Sequence, residues 1–199
     1  MKKTVLFVIL DQYADWKAAY LSSWILALGQ DRYAVQTVSL SKEPIRSMGG
    51  FTVLPDYDIP SAPTDFEGLI LVGGMSWRNE NALQVIPLVQ NALENQRVLG
   101  AICDASAFLG KIGALNHADH TSNALDDVKQ WAGEAYTGES RYRMQQAVRD
   151  KKIITANGTA SLEFAREVML ALEIAPEDKI LEQYHFDKFG FYGASMPGM

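Results

Sequence analysis

The chain has a single cysteine, Cys103, which cannot close an intrachain disulfide, so folding needs no oxidising compartment. Only three histidines occur. The spacing of His117 and His120 with one thiol is too loose for a zinc site, and a second thiolate is missing. No apolar run approaches the roughly 18–20 residues of a membrane span. Basic residues are outnumbered, 18 Lys and Arg against 24 Asp and Glu, for a formal net charge of −6, which gives no electrostatic pull toward nucleic acid. These shortages predict a cytoplasmic protein with no metal, no cofactor, no nucleic-acid partner and no membrane partner. The opening MKKTVLFVIL imitates a secretion signal, but the run is short, and Asp11 and Asp15 follow where a cleavage region would be small and neutral.

What is present reads as an ordinary globular α/β protein, with 48% hydrophobic and 21% charged residues. Residues 4–10 form an unbroken, β-branched-rich run suited to a central parallel strand. Trp16, Ala19, Tyr20, Ser23, Ile25, Leu26 and Leu28 then recur at helical spacing, with Asp15 as the expected N-cap and Gly29 as the stop. Residues 34–40 alternate as a second strand. Residues 45–59 contain Gly49-Gly50 between short extended pieces and read as a hairpin or paired edge strands. A third apolar strand over 66–72 ends at Gly73-Gly74. A helix over 81–95 follows, kinked or divided at Pro87. After the cysteine segment come a short strand ending near Asn123, a polar helix through Trp131, a hairpin turning at Arg149-Asp150 and a packed helix in the run ASLEFAREVMLALEI. Strands alternating with helices predict a three-layer αβα sandwich, a mostly parallel doubly wound sheet of flavodoxin-like type, as one domain over 1–199. The final FGFYGASMPGM is apolar yet rich in Gly and Pro, a tail either packed on a partner or loose.

Residues 98–113, VLGAICDASAFLGKIG, concentrate the chemistry. A buried strand runs into Cys103 and then into a helix whose apolar face is Ala107, Phe108, Leu109 and Ile112. A cysteine at such a corner projects its sulfur from the sheet edge, and the following helix N-terminus favours a thiolate. The pattern is that of a nucleophile elbow with Cys in place of Ser. The competing reading is a buried, inert thiol.

In order along the chain, LFVIL, YADWKAAYLSS, SMGGFTVLPDYDI, LILVGGMSW, GAICDASAFLGKIGAL, HTSN and ITANGTASLEFAREVM resemble the PfpI/ThiJ superfamily of the class I glutamine amidotransferase-like fold. The resemblance places the family's reactive cysteine on Cys103. It implies a homodimer or higher assembly, and activities that range from intracellular peptidase through glyoxalase or deglycase to chaperone and oxidative-stress sensor. Two positions depart from the family. The first-helix acid that meets the sulfur is replaced by Lys17, and a histidine often found 20 residues after the cysteine is replaced by Asn123.

An acyl-transfer site needs donors aimed at the developing oxyanion. Gly73 and Gly74 allow close backbone approach, and the Asp104 N–H is a second source. The Asp104 carboxylate would oppose ionisation of the neighbouring thiol unless it turned away or paired with Lys17. Lys17 would stabilise a thiolate by charge, act as a base if desolvated, or simply snorkel to water. Asn123 cannot accept the thiol proton. His120, at an odd offset along an extended segment, points to the opposite face, while His117 and His185 lack supporting context. The candidate site is therefore Cys103, Lys17, Asp104, Gly73, Gly74 and Asn123, acting on a small-molecule or peptide substrate. A non-enzymatic redox or electrophile sensor and a purely assembling role for the tail stand as alternatives.

Overall fold

The computed structural model describes residues 2–193. The first strand, β1 (Lys3–Val8), is buried from Val5 to Val8 on both faces of the sheet, as its continuous apolar run requires. Helix α1 (Asp15–Gly29) turns Lys17, Leu21, Trp24 and Ile25 toward the sheet. It ends at Gly29, whose missing Cβ lets the Tyr33 ring pack against it. Strand β2 (Tyr33–Ser39) returns parallel to β1. The short pair β3 (Ile45–Arg46) and β4 (Thr52–Val53) forms a separate antiparallel ribbon around Gly49-Gly50, and β5 (Tyr57–Asp58) adds to the edge of β2.

The remaining sheet strands are β6 (Gly68–Leu71), β7 (Val98–Ile102), β8 (Ala147–Asp150) and β9 (Ile153–Ala156). The order β5-β2-β1-β6-β7-β9-β8 is parallel throughout except for the β8/β9 hairpin. Helices α1, α5 (Ser161–Leu172) and α6 (Glu177–Phe189) cover one face. Helices α2 (Ile86–Glu94), α3 (Asp104–Lys111) and α4 (Leu125–Ala132) cover the other. This is the αβα sandwich expected from the sequence. Each buried Leu, Ile, Val or Phe in its two cores contributes about 1.5–3 kcal/mol relative to exposure. The chain leaves β1 toward β2 on one side and takes up β6 on the other, so the C-terminal edge between them is a topological switch point, where open α/β sheets bind ligands.

Local departures from expectation have physical causes. Ala14, not Asp15, is the N-cap of α1, because the Asp15 carboxylate accepts from the Gly49 N–H at 2.7 Å instead of capping its own helix. The helix expected over 81–95 is divided at Pro87 into a 3-10 segment, Glu80–Val85, and α2, with the proline in the first turn where its missing N–H is harmless. The β8/β9 turn lies at Lys151-Lys152 rather than Arg149-Asp150, with Lys151 at φ 55°. The strand expected to end near Asn123 is reduced to one bridge between His120 and Tyr142. Of the expected tail, 194–199 lie outside the described residues.

Helix α6 was absent from the sequence reading. It docks on α5 through Ile180, which is 1% exposed, and through Tyr184 and Lys188, which donate to Glu163 at 3.1 and 2.7 Å. Burial pushes the Glu163 carboxyl up, but the bonds from Lys188, its own backbone and Tyr184 outweigh this and hold it below its ordinary range. From α1, Trp24 donates to Asp187 at 2.8 Å. Ile180→Ala is expected to lower unfolding free energy by about 2–4 kcal/mol in urea titration, the cost of deleting a fully buried branched side chain; a change under 1 kcal/mol would mean that α6 is not part of the cooperative core.

Candidate active site

Cys103 is the residue between β7 and α3 and is half-buried. Its φ of 61° and ψ of −134° lie where side chains other than glycine's are rarely found, a conformation that costs on the order of 1–3 kcal/mol. Both ends of its peptide are pinned. Its N–H donates to Ala156 O of β9 at 2.9 Å, and its carbonyl accepts from the Ser106 N–H at 2.9 Å and the Ser106 hydroxyl at 2.6 Å. The corner also needs small neighbours. A Cβ on Gly73 would meet the Cys103 Cβ at 2.7 Å, and one on Gly158 would stand 3.0 Å from Sγ.

The loops after β1, β6, β7 and β9 meet around this sulfur. Gly74 bridges Tyr13, and the Ala14 N–H donates to Gly73 O at 2.9 Å, which ties the start of α1 to the glycine pair. Neither Gly73 nor Gly74 uses its own N–H in a hydrogen bond among the described residues. The Asp104 N–H, first in α3, likewise has no intrahelical acceptor. These donors are available to an oxyanion. Asn123 reaches the sulfur directly: Nδ2 donates to Sγ at 3.3 Å and to Asp104 Oδ1 at 3.5 Å, while Oδ1 accepts from the Gly158 N–H at 2.8 Å. That last bond fixes which way the amide faces. An N–H aimed at sulfur stabilises negative charge there but cannot remove a proton.

Asp104 does not pair with Lys17. Arg78 grips it instead, with Nε to Oδ2 at 3.0 Å and Nη2 to Oδ1 at 3.4 Å, and also bonds Asp127 at 2.7 Å while stacking over Trp131. The bonds to Asp104 and Asp127 hold the guanidinium charged, raised above its already high ordinary value. Sequence reading missed Arg78; its only signal is a lone Arg four residues after Gly74. Lys17 is 7% exposed, and its ammonium lies 5.5 Å from the centroid of the Trp16 ring.

His120 is fully buried and lies in a structural network. Nδ1 faces Ala118 O at 2.8 Å and Nε2 faces the Tyr136 hydroxyl at 2.6 Å. The carbonyl can only accept, so Nδ1 carries the proton and Nε2 accepts from Tyr136. Burial lowers the imidazole pKa, and burial followed by Tyr142 and Glu139 pushes the Tyr136 phenol up to about 12. His117 and His185 are exposed, and among the described residues no cluster of three His, Cys, Asp or Glu could hold a metal. No helix among the described residues is long and apolar enough to cross a membrane. A cavity of about 580 Å³ opens beside the site, bounded by Ser122, Asn123, Leu125, Tyr142, Met144 and Asn157.

The DJ-1/PfpI family model matches residues 3–171 of the chain. The chain belongs to the DJ-1/PfpI family. It is 40% identical over 195 residues to the "Uncharacterized protease YdeA" of Bacillus subtilis, covering 96% of this chain and 93% of that protein. Among solved structures it is similar to the thiJ/pfpI family protein from Bacillus anthracis, with TM-score 0.87 at 30% identity over 94% of this chain and 91% of that one. It is also similar to the DJ-1 superfamily protein Atu0886 from Agrobacterium tumefaciens, with TM-score 0.83 at 31% identity over 94% and 98%. The match to the family model stops before α6.

Two outcomes test this geometry. Gly158→Ala is expected to slow labelling of Cys103 by a bulky maleimide by about tenfold while leaving the fold intact, because the new methyl would sit at the tight end of contact with Sγ; equal rates would show that the sulfur is approached from another side. Because the folded pKa of His120 is depressed, its stabilising contribution is complete above the unfolded value of about 6.5 and is lost as pH falls toward the folded one. The urea midpoint is thus expected to drop between pH 7 and 5 more steeply in the wild type than in His120→Gln.

Proposed function

We propose that this chain is a cysteine-nucleophile enzyme of PfpI/ThiJ type, attacking carbonyl carbons in small molecules or peptides. The observation that carries this reading is the pinned, positive-φ backbone of a half-buried Cys103 beside three N–H groups that are unengaged among the described residues. Strain held at a corner by hydrogen bonds from two sides is typical of functional positions. The similarity to the Bacillus subtilis protein named "Uncharacterized protease YdeA" supports the acyl-transfer class.

In this reading the Cys103 thiol loses its proton to solvent, since Asn123 cannot take it. Sγ then forms a bond to the carbonyl carbon, and the C=O π electrons move onto oxygen, where the Gly74 and Asp104 N–H groups donate hydrogen bonds to the oxyanion until it takes a proton from solvent to give a hemithioacetal. Arg78 draws the Asp104 carboxylate away from the sulfur, and Asn123 adds a donor to the charged form. Expelling an amine would need a proton that no histidine here supplies. Addition to an activated small carbonyl does not, so small aldehydes and oxo compounds fit better than peptide bonds. Exposed Trp16 and Tyr20 on α1 offer an apolar surface for the homodimer that accompanies this reading.

The test is turnover of glyoxal-type carbonyls and of a chromogenic peptide by purified protein. Cys103→Ala is expected to lower the small-carbonyl rate at least about a hundredfold, with little or no peptide hydrolysis in either protein. Activity unchanged by the substitution would overturn the proposal. The second reading, an electrophile or redox sensor, is favoured by the absence, among the described residues, of any proton acceptor bonded to Sγ. It would take over if turnover were absent while mild peroxide oxidised Cys103 selectively, as seen by mass spectrometry.

A further inference from the structure

Lys17 is the group the foregoing leaves without a task. Lysines are almost never this deeply buried unless paired, yet among the described residues the Lys17 ammonium has no hydrogen-bond acceptor and no carboxylate within ion-pair distance. The Trp16 ring supplies neither. Asp15 and Asp104 do not pair with it, although Asp15 Oδ1 is itself buried without a hydrogen-bond partner among the described residues. Asp15 accepts from Gly49, and its carboxyl, pushed up by burial, is held below its ordinary range by Ser47, Gly49 and its own backbone N–H. Asp104 is held by Arg78.

Position gives this unpaired charge a direction. Lys17 is the first residue of the buried stripe Lys17, Leu21, Trp24 and Ile25, and long helical side chains lean toward their own N-terminus. The N-terminus of α1 lies at the C-terminal edge of the sheet, where Ala14 bonds Gly73 and Gly73 abuts Cys103. Cys103 packs against the same core face as Leu21, one turn further along α1. Lys17 therefore belongs to the first turn of α1, the positive end of the helix, where the macrodipole disfavours a cation and favours an anion. An anion entering here would gain a charge-assisted hydrogen bond from a donor that now has none.

We propose that Lys17 forms an anion-binding subsite beside Cys103, and that the compound acted on carries a carboxylate adjacent to its electrophilic carbon. This rests on Cys103 being the nucleophile and narrows its substrates from small carbonyls in general to 2-oxo acids and related anions. Neutral aldehydes of the same size lack the group that Lys17 would hold. Lys17 is then the specificity-determining residue, while the charge developing on the carbonyl oxygen is left to the backbone donors.

Two alkylating probes separate this proposal from the reading it rests on. Iodoacetate and iodoacetamide both form an S–C bond as iodide leaves, but only iodoacetate presents a carboxylate next to the attacked carbon. Their second-order rates on Cys103 are measured at low ionic strength in the wild type, Lys17→Met and Lys17→Arg. The iodoacetate-to-iodoacetamide ratio is expected to fall about tenfold in Lys17→Met and to be largely kept in Lys17→Arg. Taking the ratio cancels any change in thiolate fraction common to both reagents. A ratio that is the same in wild type and Lys17→Met overturns the anion subsite but leaves a nucleophilic Cys103 standing. Failure of both reagents to label Cys103 removes the nucleophile and the subsite together. If Lys17→Met does not fold, sodium acetate is titrated against iodoacetamide labelling of the wild type. Saturable slowing beyond that of equal KCl supports the subsite, and no such slowing overturns it.

Discussion

The backbone of Cys103 is held in a conformation that its own side chain disfavours, and the neighbouring loops are built around that fact. The strain persists because β9 captures the residue's N–H and the first turn of α3 captures its carbonyl. Relaxing φ would break bonds on both sides at once. The same pinning decides where the sulfur goes, out of the sheet edge and between the loops that follow β6 and β9. A side chain on Gly73 would collide with this arrangement, and one on Gly158 would press closely on the sulfur. The site's precision thus comes from strands and helix termini, with the loops filling in around them.

The carboxylate that follows the cysteine, Asp104, is ion-paired with Arg78. Arg78 reaches across from the loop after β6 to hold Asp104 and Asp127, and so joins α3 to α4 at the rim of the site. Asn123 then has one amide face on Gly158 and the other on the sulfur and Asp104. Beneath them, Ser106 bonds Ser122, and the Thr121 N–H bonds Thr155. His120 and Tyr136 satisfy each other within the same layer. Buried polar groups that are all paired resist rearrangement, and Asn123 follows directly on Thr121 and Ser122 of this layer.

Much of the fold was legible because the central strands are apolar on both faces and the main helices carry their buried residues at regular spacing. Helix α6 was not legible. Its polar surface is high, and the partners that hold it, Glu163 and Trp24, are 21 and 163 residues from Tyr184 and Asp187 respectively. The β8/β9 turn was misplaced by two residues because Arg149-Asp150 and Lys151-Lys152 are equally polar; the pairing of Ala147 with Ala156 and Asp150 with Ile153 sets it.

By itself the sequence determined the order of strands and helices, the corner bearing the lone cysteine, and the absence of a histidine at position 123, since these depend on residue type and local spacing. Only the tertiary structure decided which charges meet. Asp104 goes to Arg78, 26 residues away in sequence, and Lys17 is left mostly buried with no counter-ion among the described residues. Ion pairing depends on where side chains of separate elements converge in space, and on which contacts they exclude, neither of which is encoded in the spacing along any one segment.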